Sequence, residues 1–478
     1  MPPKCRHFVC LIPVCLFLVL YSQVRGFPLR WGEVKFNMGV LKPTPEAAGK
    51  AEGIHPLESL PRSLPEPHVG RGIYQLRNDD YFNVSRFDAL PFGNWKHLVP
   101  FLQKLATGAN VTIMVLGGSF TRGKDCKKGL SATEFLHSES DKDCAWPARF
   151  TQWLRAAFPQ ANIHTNNMAG RGTPSSVILG GIGLQNYSKA DMILVDTLVN
   201  DAYQGNLRPD LKSTVAVSVP FEELLRSLHV LAPDSLLFAM EAGCWKCIDA
   251  AELHRKVLDF YGIPYMDFSR AVQGVPELWT SKYGPHPNFK THQAVADIMA
   301  FNLRAVWDSM LSMKEKDSEP RLDFSKAYHD EEERNNFPRR LYPCFVMSAF
   351  HPPADQPKVL QGNWTLYEDV PGKPGWISTE PGSVMQIDLC FGKLPTLTFT
   401  YLKSYEKMGA ARLIMNGKSM EVSGLWDFKV SQSETFFFQA GSLSRKIFSV
   451  EPNSSQTLRV ENLRSGNGKM KVMEIVSC

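Results

Sequence analysis

Between Val111 and about Leu311 the sequence alternates short apolar runs with amphipathic segments of helical period, and that alternation leaves few folds open. "VTIMVLG" reads as a buried strand. "WPARFTQWLRAAFP" follows, with Pro147 suited to a first helical turn and Phe150, Trp153, Leu154, Ala157 and Phe158 on one face. "NIHTNNM", "DMILVDTL", "SLLFAMEA" and "IPYMDF" supply four more strands. "SSVILGGIGLQNY", "PFEELLRSLHVLA", "DAAELHRKVLDFYG" and a segment from about Phe289 to Met310 supply helices, and "NWKHLVPFLQKLATG" is a helix feeding the first strand. Strands separated by helices must pair in parallel through right-handed crossovers, which predicts a three-layer α/β/α fold around one parallel sheet. In such sheets the chemistry sits at the C-terminal ends of the strands.

At 478 residues the chain is too long for that unit alone. Residues 1–26 carry Lys4, Arg6 and His7 before a 14-residue apolar run, "FVCLIPVCLFLVLY", short for a membrane span and matched to a signal peptide or a short uncleaved signal anchor. Residues 27–67 form a Pro- and Gly-rich lead-in expected as a stalk or an ill-ordered segment, 68–311 the α/β unit, and 312–340 a charged linker expected to be exposed. From 341 to 478 the period changes. "SVMQIDLCF", "TLTFTYLKS", "ARLIMNG", "ETFFFQAG", "TLRVENL" and "KMKVMEIVSC" are strand-like runs between turn residues, the pattern of an antiparallel, jelly-roll-like β-sandwich.

A formal charge of +5 over this length gives no nucleic-acid footprint. The leader implies the secretory pathway: secreted, in the Golgi or endoplasmic-reticulum lumen, or tethered there by the N-terminal anchor. Two features agree. Glycosylation sequons stand at Asn83, Asn110, Asn186, Asn363 and Asn453. Beyond the leader are Cys126, Cys144, Cys244, Cys247, Cys344, Cys390 and Cys478, most of which should pair in an oxidising compartment. The expected pairs are Cys126 with Cys144, Cys244 with Cys247 and Cys344 with Cys478, leaving Cys390 as a buried thiol or an intermolecular link, although sequence alone does not fix the connectivity. "CWKC" at Cys244 also has redox-pair spacing, without a thioredoxin-like context. Trp146, Trp153 and Trp245 fit a core better than a sugar platform.

The turn after the first strand, "LGGSFTRGKDC", admits two chemistries. From Gly118 it is one residue short of a phosphate loop, but that loop needs a hydroxyl after Lys124 and a helix starting there; Asp125 follows instead. The alternative makes Ser119 a nucleophile. A serine needs a base to take its proton and donors for the oxyanion formed on attack. Residues of the right kind end the later elements in order: "NNMAGRGTPS", "DTLVNDA" with Asn200, and "YGPHPNFKTHQAVADIM" with His286. Each also has a plain structural role, as turn residue, helix cap or loop histidine, and His292 reads as a helix-face residue.

That ordered set resembles the SGNH, or GDSL, hydrolase family over about 111–310. "LGGSFT" resembles its first block, implying Ser119 as nucleophile and backbone oxyanion donor. "MAGRG" resembles the second, implying Gly170 as donor with Gly172 as the alternative register. "LVND" is similar to the third, implying Asn200 as side-chain donor, and "HPNFKTHQAVAD" to the last, implying His286 as general base. The resemblance implies a flavodoxin-like sheet, no cofactor and an acyl-serine intermediate. The sequence departs from the pattern at Gly118, where the family has Asp, and at Tyr283, where it has the Asp that orients the histidine. A backbone carbonyl takes that role in some members; Asp201 is a candidate substitute acid, although adjacent strand-end side chains diverge. "PGWISTEPGSVMQIDLCF" and "YLKSYEKMGAARL" weakly resemble a galactose-binding-like sandwich. The expectation is a serine esterase acting on an acylated carbohydrate; an O-acyltransferase with the same site and a catalytically silent glycan-binding protein are the alternatives. No metal is implied, since no His/Asp/Glu cluster has ligand spacing.

Overall fold

The computed structural model describes residues 63–65, 93–127, 141–203, 212–243, 247–268, 286–312, 322–334, 345–349, 357–393, 395–439, 448, 450–463 and 468–478. The leader, Asn83, Tyr283, Cys244, Trp245 and Cys344 lie outside the described residues.

Five parallel strands, β1 (Asn110–Gly117), β2 (Asn162–Asn167), β3 (Met192–Asp196), β4 (Leu236–Met240) and β5 (Tyr265–Met266), form one sheet in the order β2-β1-β3-β4-β5. Their side chains alternate between two cores, as the pleat requires. Ile113, Val115, Met192, Leu194, Phe238 and Met240 face the helices Val99–Ala106, Trp146–Ala157 and Phe289–Ser312. Met114, Leu116, Ile193, Val195, Leu237 and Ala239 face the helices Ser213–Leu231 and Ile248–Tyr261. Buried on both sides, β1, β3 and β4 read as continuous apolar runs, whereas the edge strand β2 is polar and half-exposed. Trp146 and Trp153 are in the first core, where the helical spacing put them.

Beyond residue 344 two antiparallel sheets stack. One contains β7 (Lys358–Gln361), β10 (Val384–Cys390), β12 (Ala410–Met415), β13 (Lys418–Ser423) and β15 (Ser455–Asn462); the other contains β6 (Phe345–Ser348), β8 (Thr365–Val370), β9 (Lys373–Ser378), β11 (Thr396–Lys403), β14 (Gln432–Gln439) and β16 (Met470–Ser477). Inward residues Met385, Ile387, Leu413, Leu458 and Val460 of one meet Phe399, Phe438, Val472 and Ile475 of the other. The second sheet is buried on its outer face too, because β11 and β14 pack against the helix Ser175–Gly180 of the α/β layer. Both parts belong to one compact unit spanning Leu57–Cys478.

Four expectations need correction. The segment expected as an exposed linker has no buried residue over 322–334, yet it is strapped to the helix Ser213–Leu231. Phe324 stacks on Tyr261 at 4.4 Å, Glu222 accepts from the Tyr328 and His329 amides at 2.7 and 3.0 Å, and Arg334 pairs with Glu223. The lead-in is anchored at its end: Leu64 is in the first core and Pro65 accepts from Trp153 Nε1 at 3.3 Å. "SSVILGGIGLQNY" forms a short helix and two 3₁₀ turns, since Gly180, Gly181 and Gly183 interrupt it. Cys390 is exposed, which removes the buried thiol, one of the two alternatives expected for it. Cys126 and Cys144 form a disulfide as expected, and Cys478 is disulfide-bonded. Asn110, Asn186, Asn363 and Asn453 are all exposed.

Candidate active site

β1 and β3 are the neighbours at which the strand order reverses, so the turns after them flank one crevice. After β1, Gly118 enters the helix Ser119–Arg122, and Gly123 closes it in the left-handed conformation. Two bonds pin this turn to β3: Gly118 N–H donates to Asp196 O at 3.3 Å and Thr121 Oγ1 to Asp196 Oδ2 at 2.6 Å. Burial pushes the Asp196 carboxyl up to about 8 against the bonds from Thr121 and Trp146. The turn carrying Ser119 is therefore supported by an acid whose burial favours the protonated form.

Ser119 Oγ lies 2.8 Å from His286 Nε2. The far nitrogen, His286 Nδ1, faces Asp125 Oδ2 at 3.5 Å, and Lys124 Nζ holds the other oxygen, Asp125 Oδ1, at 2.8 Å. The hydroxyl, imidazole and carboxylate thus stand in line. Asp125 adopts the left-handed region at φ 65°, which short polar side chains tolerate, and the neighbouring Cys126–Cys144 disulfide staples its loop. Asp125 is not where the resemblance puts the acid, three residues before His286. The one available signal was the position that spoiled the phosphate loop. Asp201 is turned away, accepting from Ser175 N–H and Oγ at 2.8 and 2.6 Å and facing His254 Nε2 at 3.3 Å.

Burial lowers the His286 pKa to about 4; Asp125 opposes the shift, whereas Lys124, Lys373 and Arg171 add to it. The imidazole is consequently neutral and able to accept a proton at all but strongly acidic pH.

Asn200 ends the apolar run of β3 in the turn helix Leu198–Asp201 and is buried. Its Oδ1 fills the space that a Cβ on Gly118 would need, with only 1.9 Å between them. An Asp at position 118, as in the family pattern, is incompatible with this placement of Asn200. Of the two glycines after β2, Gly170 spends its N–H on Gly117 O at 3.0 Å, which corrects the preferred register. Gly172 has φ +66° and, among the described residues, no acceptor for its N–H. His292 is a core residue: it is stacked on Phe120 at 4.5 Å, and its Nδ1 accepts from Trp146 N–H at 3.2 Å.

No protein-family model matches the chain, and a comparison with curated proteins by sequence returns no match. Solved structures do resemble it. A two-domain esterase active on acetylated mannans, co-crystallised with mannopentaose, superposes with TM-score 0.55 at 16% identity, covering 81% of this chain and 95% of that one. A second structure of a two-domain esterase active on acetylated mannans gives TM-score 0.53 at 16% identity, covering 81% and 96%. Identity this low speaks for the fold alone. What this chain shares with those two structures is the fold, an α/β layer joined to antiparallel sheets.

Proposed function

We propose that the protein is a serine esterase of the SGNH type that removes acyl groups from a carbohydrate through an acyl-serine intermediate. The 2.8 Å approach of Ser119 Oγ to His286 Nε2 carries this reading. His286 Nε2 takes the hydroxyl proton as Ser119 Oγ bonds to the ester carbonyl carbon. The carbonyl electron pair moves onto its oxygen, held by the Ser119 and Gly172 N–H groups and Asn200 Nδ2. Collapse breaks the bond to the sugar oxygen, which leaves with the proton from His286. Water, deprotonated by His286, then attacks the acyl-serine and frees the acid and Ser119. Asp125 orients the ring and favours the transient imidazolium.

The carbohydrate is supported by the two-domain architecture shared with esterases active on acetylated mannans. A secretory location is supported by the Cys126–Cys144 disulfide and the exposed sequons.

The purified chain is expected to release acetate from acetylated mannan and to be labelled by a fluorophosphonate probe. The Ser119→Ala variant is expected to do neither. Wild-type release with no Ser119 labelling would reject the covalent mechanism.

The acid limb of kcat/KM reports the free enzyme's base. Proton transfer needs the neutral ring, so activity falls as pH drops through the His286 pKa. A limb near pH 4 is expected, well below the ordinary histidine value. A profile already half lost at pH 6.5 would contradict the depressed ring.

A further inference from the structure

The second domain touches the site at consecutive residues. Gln432, at the start of β14, is buried against Asn200, and the two exchange hydrogen bonds: Asn200 Nδ2 donates to Gln432 Oε1 at 3.3 Å, and Gln432 Nε2 donates to Asn200 O at 3.1 Å. The next residue, Ser433, donates its N–H to Gly172 O at 2.9 Å. A methyl group on Gly172 would lie 3.0 Å from both Gln432 Cα and Ser431 O, so the turn is pressed against this strand.

A carboxamide has two nearly isosteric orientations, one presenting N–H and the other a carbonyl oxygen. Only the first stabilises an oxyanion; the second repels it. Gln432 decides between them. Its own orientation is set because its amino group faces a backbone carbonyl, which only accepts. That places Oε1 opposite the Asn200 side chain, where an amino group is favoured and an oxygen is not. One Asn200 proton is used on Gln432; on the esterase reading the other is the one offered to the oxyanion.

We propose that the β-sandwich is part of the catalytic apparatus, with Gln432 a positioning residue that holds Asn200 in its donor orientation and Ser433 fixing the Gly172 turn beside it. This rests on the esterase reading above. It gives the second domain a role in the chemical step, apart from any glycan it binds.

The test uses the full chain with Gln432→Met, which keeps side-chain bulk, and Gln432→Ala, each in wild-type and Asn200→Ala backgrounds. Losing a donor's orientation costs less than losing the donor, so kcat is expected to fall about 10–100-fold with KM held within about twofold. In the Asn200→Ala background the same substitutions are expected to change kcat little, because Gln432 acts through Asn200. A merely structural role would lower both backgrounds alike. Wild-type kcat in either folded variant, undiminished loss without Asn200, or unfolding of both variants in thermal melts overturns the proposal. An unmutated chain lacking Ser119-dependent hydrolysis defeats the esterase reading too, whereas an active chain indifferent to Gln432 defeats only this inference.

Discussion

Ser119→Ala and His286→Ala are each expected to lower kcat on the order of 10⁴–10⁶-fold, and the double variant to be hardly worse than either. The reason is the single hydrogen bond of 2.8 Å between them. Without the hydroxyl the imidazole has no nucleophile to activate, and without the imidazole the hydroxyl is an alcohol far too weakly acidic to attack an ester. The two groups perform one step, so their losses do not multiply. Residual hydrolysis should survive in both, since the oxyanion donors and the binding surface remain. Ser119 is only partly buried and its turn is held by backbone and Thr121 contacts, so folding should be unaffected. Single-turnover rates with an aryl acetate and an acetylated glycan would measure the losses. Multiplicative losses in the double variant, or Ser119→Ala within tenfold of wild type, would show that the pair does not act as a unit.

Much of this site was legible because three of its groups follow strands or open a helix. Ser119 and Asn200 each follow an apolar run, and parallel neighbours end on the same edge, so alternation alone brought them together. His286 stands shortly before the long helix Phe289–Ser312, which the helical period marks. Asp125 had no such signal. It is placed by a left-handed turn and a disulfide to a segment 18 residues away, and periodicity is blind to both. The choice between Gly170 and Gly172 was equally hidden, since it depends on which N–H the β1 carbonyl claims. In the sandwich, the apolar runs named six strands. The edge strands β7 and β8, with mostly exposed residues, carry little apolar period, and β9 contains Pro374 and Gly375. The Asn416-Gly417 turn joining β12 and β13, both residues at positive φ, is a hairpin signal that went unread. The strapped segment 322–334 looked like a linker because its anchors are scattered, two of them backbone amides, and the carboxylates that hold them, Glu222 and Glu223, lie over 100 positions earlier.

Asp125→Asn should separate an orienting carboxylate from a bystander. Nδ1 and Oδ2 are 3.5 Å apart, long for a hydrogen bond at rest, and such contacts tighten when the ring becomes charged. The expected loss in kcat is on the order of 10²–10³-fold, smaller than for Ser119 or His286, because the asparagine still packs in the same left-handed turn. Its neutral amide, however, no longer stabilises the imidazolium formed as Ser119 attacks. The pH profile adds an independent readout. Burial depresses the His286 pKa to about 4, and Asp125 is the first influence acting the other way; removing its charge should carry the ring lower still. A base works only while neutral, so the acid limb of kcat/KM should move to lower pH even as the plateau drops. A purely structural loss would lower the plateau and leave the limb in place. Lys124, which pairs with Asp125, would lose its partner in the same variant and push the ring further in that direction. A limb that moves upward, or a plateau equal to wild type, would remove Asp125 from the mechanism and leave His286 to be oriented by another group.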